Sequence, residues 1–215
     1  MASSGKGAKN KGSLFELKIS KSLSKWSGLP FYRSPASGAW ASQRLGQDAQ
    51  SGDIVAPQSI DFPFSIELKH HEGVSLDNFV HSTGEVPSFL TQAIGDAVRA
   101  NKIPILITHW NYHPNYISIP YSEKVLNDLK SIQKPYLVTT TKYKDSLTDE
   151  DLYIDLLTFI YEDFLELYSL DYLLKSSTNL FSAWVDLVSQ GINSRKTGSK
   201  KEIKSTNVKE ILDNL

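Results

Sequence analysis

The spacing of hydrophobic residues in the first part of the chain predicts a helix. Apolar side chains recur at helical intervals over residues 14–26, and Ser13 and Glu16 are placed to cap the first turn reciprocally. Gly28 is positioned to end this helix. The preceding residues 1–12 are rich in Gly, Lys, Ser and Asn, a composition that predicts a flexible basic tail.

Three short strands are predicted after this helix. Residues 30–33 and 53–56 are brief apolar segments on either side of a polar loop that contains glycine. Residues 64–69 alternate apolar and polar side chains, the pattern of a strand with two different faces. The intervening residues 57–63 are short enough for a hairpin, so the second and third strands are expected to pair antiparallel.

A further helix and two more strands follow in the pattern. Residues 87–100 predict a helix, residues 103–108 form an apolar run typical of a buried strand, and residues 116–119 predict another strand. Ser122 is placed to cap a helix that runs to Leu129.

The last third of the chain differs in composition. From Thr148, leucine, aromatic and acidic residues favour one or two amphipathic helices. The predicted fold class is therefore α/β, a mixed central β-sheet flanked by helices, with a helical C-terminal extension. The predicted organisation is a flexible basic tail (1–12), a core (13–130), a helical extension (131–192), and a basic linker with a short C-terminal helix (193–215).

Composition excludes several classes of protein. The 215 residues include no cysteine, so disulfides and cysteine-ligated zinc are excluded. No apolar stretch approaches the roughly 20 residues of a membrane-spanning helix. The basic N-terminus is not followed by the apolar segment of a secretory signal. We therefore expect a cytoplasmic protein with no membrane partner.

The net charge of −1 hides an uneven distribution. Six lysines crowd the first segment against the single acid Glu16, and a second basic cluster follows residue 194. Residues 146–170 contain acids but no base. A basic face suited to phosphate is one interpretation, and solvated helix faces with flexible tails are the other.

The candidate chemistry lies in Asp53 and in the sequence Glu67-Leu68-Lys69. On a strand, Glu67 and Lys69 project from one face and Leu68 projects from the other. Antiparallel pairing of the two strands would place Asp53 beside Glu67. Two carboxylates and one ammonium would then converge.

Two adjacent carboxylates repel each other unless a cation or a proton lies between them. Mg²⁺ binds one or two carboxylates together with waters and phosphate oxygens, and it lowers the pKa of bound water. Lys69 could orient or deprotonate that water, or neutralise charge on phosphorus. The pattern therefore predicts Mg²⁺-dependent phosphodiester hydrolysis, with Mn²⁺ able to substitute. The alternative is a plain ion pair between Glu67 and Lys69 on a solvated sheet face.

These motifs resemble the PD-(D/E)XK nuclease superfamily, and within it the archaeal-type Holliday junction resolvases and their phage relatives. The resemblance spans residues 11–108 and depends on four segments in order: GSLFE at 12–16, RSPASG at 33–38, GDIV at 52–55 and IELK at 66–69. It implies a restriction-endonuclease-like core, branched DNA as substrate, a homodimer, and a bacterial, archaeal or phage-infected host cell. The chain departs from a minimal resolvase in the long loop 38–52, in residues 70–86, and after Tyr121.

The resemblance also implies roles for the site residues. Asp53, Glu67 and the backbone carbonyl of Leu68 would bind Mg²⁺ directly. Glu16 would reach the metal through water or help to position it, and Lys69 would act on the nucleophilic water.

Four further residues are candidates for DNA contact. By resemblance, Ser37 would touch the phosphate at the scissile bond, and Gln92 matches a glutamine that related nucleases place near the site. Arg33 and Arg44 suit phosphate because a guanidinium matches its geometry. Arg33 could instead pair with an acid.

The leading hypothesis is a Mg²⁺-dependent structure-specific endonuclease that resolves Holliday junctions or other branched DNA. A restriction-type or general DNA nuclease on the same core is the first alternative. A non-catalytic DNA-binding module that has kept the fold is the second. The set of Glu16, Asp53, Glu67 and Lys69 argues against that second alternative, because a binding module has no need for mutually repelling carboxylates.

Overall fold

The structure is a computed structural model that describes residues 4–34, 51–146 and 148–189. The described residues form helices α1 (Ser4–Ser27), α2 (Leu76–His81), α3 (Val86–Arg99), α4 (Glu123–Ser131), α5 (Tyr161–Leu167), α6 (Leu170–Leu180) and α7 (Ser182–Ser189). They also form strands β1 (Tyr32–Arg33), β2 (Ile54–Val55), β3 (Phe64–His70), β4 (Ile103–His109), β5 (Tyr116–Pro120), β6 (Tyr136–Lys144) and β7 (Asp151–Ile160).

A mixed five-stranded sheet in the order β3-β4-β5-β7-β6 forms the centre of the fold. The β3–β4 pair is parallel and the other neighbours are antiparallel. Helix α3 links the two parallel strands, as a parallel connection requires. The predicted α/β class with a helical C-terminal extension is confirmed, since α5 to α7 follow the last strand.

The predicted antiparallel hairpin of residues 53–56 with residues 64–69 is wrong. Strand β2 pairs antiparallel with β1, in the register Arg33↔Ile54. A single parallel bridge between Gly52 and Ile66 joins this small sheet to β3. The strand order places β3 at one edge of the five-stranded sheet.

Helices α1 and α3 pack on opposite faces of β3. Phe15 of α1 contacts the ring of His70, whereas Gln92 of α3 contacts Lys69. Because neighbouring residues on a strand project to opposite faces, these contacts place the two helices on either side of the strand. The buried side of α1 consists of Phe15, Ile19 and Leu23, which recur at helical spacing.

Two predicted boundaries are corrected by the secondary structure. Helix α1 begins at Ser4, so the flexible tail predicted for residues 1–12 is wrong from that residue onward. Residues 136–144 and 151–160 are strands, so the helical extension predicted for 131–192 is wrong over its first half. Over residues 151–156 of β7 the buried residues alternate with exposed ones, which is the period of a strand.

Other local predictions agree with the structure. The Ser122 hydroxyl accepts a hydrogen bond from the Val125 N–H at 3.3 Å, as expected of the residue that caps α4. The predicted linker and final helix at 193–215 lie outside the described residues. No helix in the described part of the chain is long and apolar enough to span a membrane.

Candidate active site

Asp53 is held against β3 by both its backbone and its side chain. Its N–H donates to the Ile66 carbonyl at 2.7 Å, and its Oδ2 accepts from the Leu68 N–H at 2.8 Å. The preceding residue makes this approach possible. Gly52 has φ +78°, and a Cβ added there would lie 2.3 Å from the Ile66 carbonyl oxygen. Glycine is therefore required at this point for Asp53 to reach β3.

Glu67 is the buried member of the candidate site, with only 1% of its surface exposed. The Lys69 Nζ lies 2.6 Å from Glu67 Oε1. In the part of the chain that the structure describes, Glu67 Oε2 has no hydrogen-bond partner. A buried oxygen without a partner costs free energy unless a hydrogen-bond donor or a cation satisfies it. Functional sites are a common place for such unsatisfied atoms.

Lys69 lies at the exposed end of the same face of β3. Its Nζ donates a hydrogen bond to the Gln92 Oε1 at 2.9 Å and lies 5.4 Å from the centre of the Phe89 ring. Helix α3 supplies both partners. The ammonium is therefore held in place by Glu67 on its own strand and by the helix that packs on that face.

The carboxyl groups perturb one another. Burial and the negative charge of Asp53 raise the pKa of Glu67 to about 7, although Lys69 opposes the rise. Burial also raises the pKa of Asp53, against the opposing effect of the Leu68 N–H hydrogen bond. Burial and the charge of Asp53 raise the pKa of Glu16, which comes to the site from α1. Desolvation and like charge act in the same direction at all three carboxyl groups.

Arg33 lies on the side of the site that α1 faces. Its Nη1 is 3.9 Å from Glu16 Oε2, so the sequence alternative in which Arg33 pairs with an acid is the one seen in the structure. Arg33 is partly exposed, and its charge lowers the pKa of Glu16.

The donor set fits a hard divalent cation. Asp53 and Glu67 bring two carboxyl groups together, and the pKa of each is raised chiefly because burial disfavours the charged form. In a strand, the N–H and C=O of one residue point to the same side, so the Leu68 carbonyl is directed toward Asp53 as its N–H is. Among the described residues, no three His, Asp or Glu side chains are grouped as metal ligands. A cation here would rely on two carboxylates, a backbone oxygen, and oxygens from water or substrate.

The structure brings together all seven candidate residues that it describes: Glu16, Arg33, Asp53, Glu67, Leu68, Lys69 and Gln92. Ser37 and Arg44 lie outside the described residues.

One residue at the site was missed by the sequence analysis. The negative charge of Asp96 on α3 contributes to the raised pKa of both Asp53 and Glu67, and Asp96 itself pairs with Arg99. Asp96 follows Gln92 by one helical turn and therefore lies on the same side of α3. The spacing of one helical turn between Gln92 and Asp96 is the sequence feature that could have identified Asp96.

The mixed α/β core and the paired carboxylates beside a lysine define a nuclease of the PD-(D/E)XK superfamily. Residues 7–175 match the family described as "Phage putative PDDEXK endonuclease", and the chain belongs to that family. Nucleases of this superfamily generally depend on divalent metal ions. No curated protein and no solved structure matches the chain.

Proposed function

We propose that this protein is a Mg²⁺-dependent endodeoxyribonuclease that hydrolyses phosphodiester bonds in branched DNA, with the Holliday junction as the leading substrate. The observation that carries the chemistry is the convergence of Asp53 and the buried Glu67 beside Lys69. A solvated ion pair would not explain why Glu67 is buried next to a second carboxylate.

In this proposal Asp53, Glu67 and the Leu68 carbonyl hold the metal ion. When bound, Mg²⁺ polarises a phosphate oxygen and lowers the pKa of a coordinated water. Mn²⁺ has the same preference for oxygen ligands and would substitute.

Three side chains beside the metal ligands would position the attacking water and the phosphate: Lys69, Glu16 and Arg33. Lys69 is fixed by Glu67 and Gln92, so its ammonium can donate to the attacking water or to a phosphate oxygen where negative charge develops. Asp53 is close enough to raise the pKa of Glu16, and this proximity suits Glu16 as a residue that orients a metal-bound water. Arg33 is placed to contact a phosphate from the same side.

The choice of branched DNA is supported by the resemblance of residues 11–108 to junction resolvases. A four-way junction needs two matched cuts, so this substrate implies a homodimer. The same resemblance supports action in the cytoplasm of a bacterial, archaeal or phage-infected host cell.

A side-by-side cleavage assay tests the proposal. The protein would be incubated with end-labelled four-way junction, flap and linear duplex of matched sequence, in Mg²⁺, in Mn²⁺ and in EDTA. We expect cleavage in either metal, none in EDTA, faster cutting of the junction than of the duplex, and paired cuts. Light scattering would give the oligomeric state.

Other outcomes identify the alternatives. Equal rates on the junction and the duplex would favour a restriction-type or general nuclease. Tight binding without cleavage in both metals would favour a DNA-binding module.

A further inference from the structure

A row of exposed lysines follows one side of α1. Lys11, Lys18, Lys21 and Lys25 are all exposed. At 3.6 residues per turn these four positions fall within about a quarter of the helix circumference. The buried residues Phe15, Ile19 and Leu23 occupy the side that faces the sheet. We call the four lysines the α1 lysine row.

One member of the α1 lysine row forms an ion pair. Lys11 pairs with Glu72, which follows the end of β3. Among the described residues, Lys18, Lys21 and Lys25 form no ion pair. Three ammonium groups on one helix without counterions are suited to a polyanion.

The α1 lysine row lies on the opposite side of the helix from the active site. Glu16 is the α1 residue that reaches Asp53 and Arg33. Lys18 is two residues away and Lys25 is nine residues away, so each is about half a turn around the helix from Glu16. A helix with its side chains is about 10 Å across. Phosphates bound by the row are therefore separate from the phosphate at the catalytic carboxylates.

We infer that the α1 lysine row binds the phosphate backbone of a second duplex arm, while the arm to be cut lies at Asp53 and Glu67. This inference rests on the proposed function and adds a reason for selecting branched DNA. Lys11 and Lys25 are separated by about 21 Å along the helix axis, which equals the rise of about six base pairs. Lys11 pairs with Glu72 just after β3, and Lys18 lies close enough to His109 of β4 to lower its pKa, so the first half of the row lies near the ends of both strands, where the site also lies.

The test compares two triple variants with the same net charge. One is Lys18→Gln/Lys21→Gln/Lys25→Gln on α1. The control is Lys124→Gln/Lys130→Gln/Lys175→Gln, which removes three exposed lysines from α4 and α6. Glutamine has a similar helix propensity to lysine, so both variants should fold, and thermal unfolding would check this. Binding to the four-way junction and to linear duplex would be measured in EDTA at several salt concentrations.

We expect the α1 variant to bind the junction about 100-fold more weakly near 0.1 M salt. The salt dependence of its junction binding should fall by two to three units of slope, because about three phosphate contacts are lost. Its binding and Mg²⁺-dependent cleavage of linear duplex should change by less than about threefold. The corresponding Lys→Arg variant should bind the junction like the wild type, since the charges are kept.

Three results would overturn the inference while leaving the nuclease intact: unchanged junction binding, an equal loss on duplex and junction, or the same loss in the control variant. Wild-type protein that neither binds nor cuts any DNA would overturn both the proposed function and this inference.

Discussion

The two edges of the central sheet differ in how their charged side chains are paired and how exposed they are. At the β6 edge, Lys142 and Asp151 form a cross-strand ion pair of 3.2 Å, and both side chains are substantially exposed. At the β3 edge, two carboxylates of the same sign, Asp53 and Glu67, are brought together, and Glu67 is buried. Exposed pairs contribute up to about 1 kcal/mol, whereas an uncompensated buried charge is costly.

This difference distinguishes an exposed ion pair from the buried carboxyl groups that we propose to be catalytic. The ion pair of Lys142 and Asp151 could be replaced by other polar residues with little effect on the fold. The β3 arrangement destabilises the protein without a cation, and burial with like-charge contact is typical of catalytic groups.

The largest expected difference between the edges is in cleavage. Asp53→Asn and Lys69→Ala should each reduce Mg²⁺-dependent cleavage by at least about 100- to 1,000-fold, because each removes charge from the reacting centre. The matched changes Asp151→Asn and Lys142→Ala in the ion pair at the β6 edge should alter it by less than about twofold. Single-turnover assays on labelled DNA would measure these rates. Full activity in Asp53→Asn or Lys69→Ala would contradict the mechanism.

The second difference concerns stability as a function of pH in EDTA. Because the pKa of Glu67 is raised from 4.5 to about 7 in the folded state, stability is highest below pH 4.5 and falls as the pH rises through 7. The loss should be on the order of 3 kcal/mol for wild type. Glu67→Gln should remove most of this loss, and Asp151→Asn should not. Urea unfolding across pH 4 to 8 would measure it, and an identical slope in Glu67→Gln would refute the assignment.

The third difference compares two glycines that both have positive φ. Gly28 has φ +72° and open space around it, whereas a Cβ on Gly52 would overlap the Ile66 carbonyl. Gly28→Ala should cost about 1 kcal/mol through backbone strain alone. Gly52→Ala should cost about 2 kcal/mol more and should also impair cleavage, because the clash pushes Asp53 away from β3. Equal losses of unfolding free energy in both variants would show that the close approach is unimportant.

The smallest expected effect is at Gln92. Gln92→Ala removes the hydrogen bond that helps to hold Lys69, and kcat should fall about tenfold with little change in KM. Asn127→Ala, at an exposed position on α4 away from the site, is the control. A change in KM alone would indicate that Gln92 binds DNA and does not position Lys69.

The residues of the site could be predicted from the sequence, but the way they meet could not. Alternation alone put Glu67 and Lys69 on one face of a strand, and the structure agrees. The expected hairpin was wrong because β2 pairs antiparallel with β1, whereas β3 pairs with β4, in the register Phe64↔Ile103. Asp53 reaches Glu67 by a single bridge at Gly52, a long-range contact that no local pattern indicates.

The error in the last third of the chain has a local cause. Strand β7 runs directly into α5, so apolar residues on both sides of the junction imitate one continuous helical pattern. The alternation of Leu152, Ile154 and Leu156 with exposed residues was present in the sequence. The helical spacing of the residues after Ile160 nevertheless favoured the prediction of a helix over the whole segment.

By itself, the sequence determined the chemical groups, the faces from which they project, and the α/β class. These properties depend on residue type and on periods of two or 3.6 residues, which are local. The tertiary structure alone decided that β3 is an edge strand, that Gly52 admits Asp53, and that Glu67 is buried beside a second carboxylate. Those features depend on strand pairing and desolvation between distant segments, and these arise only when the whole core packs.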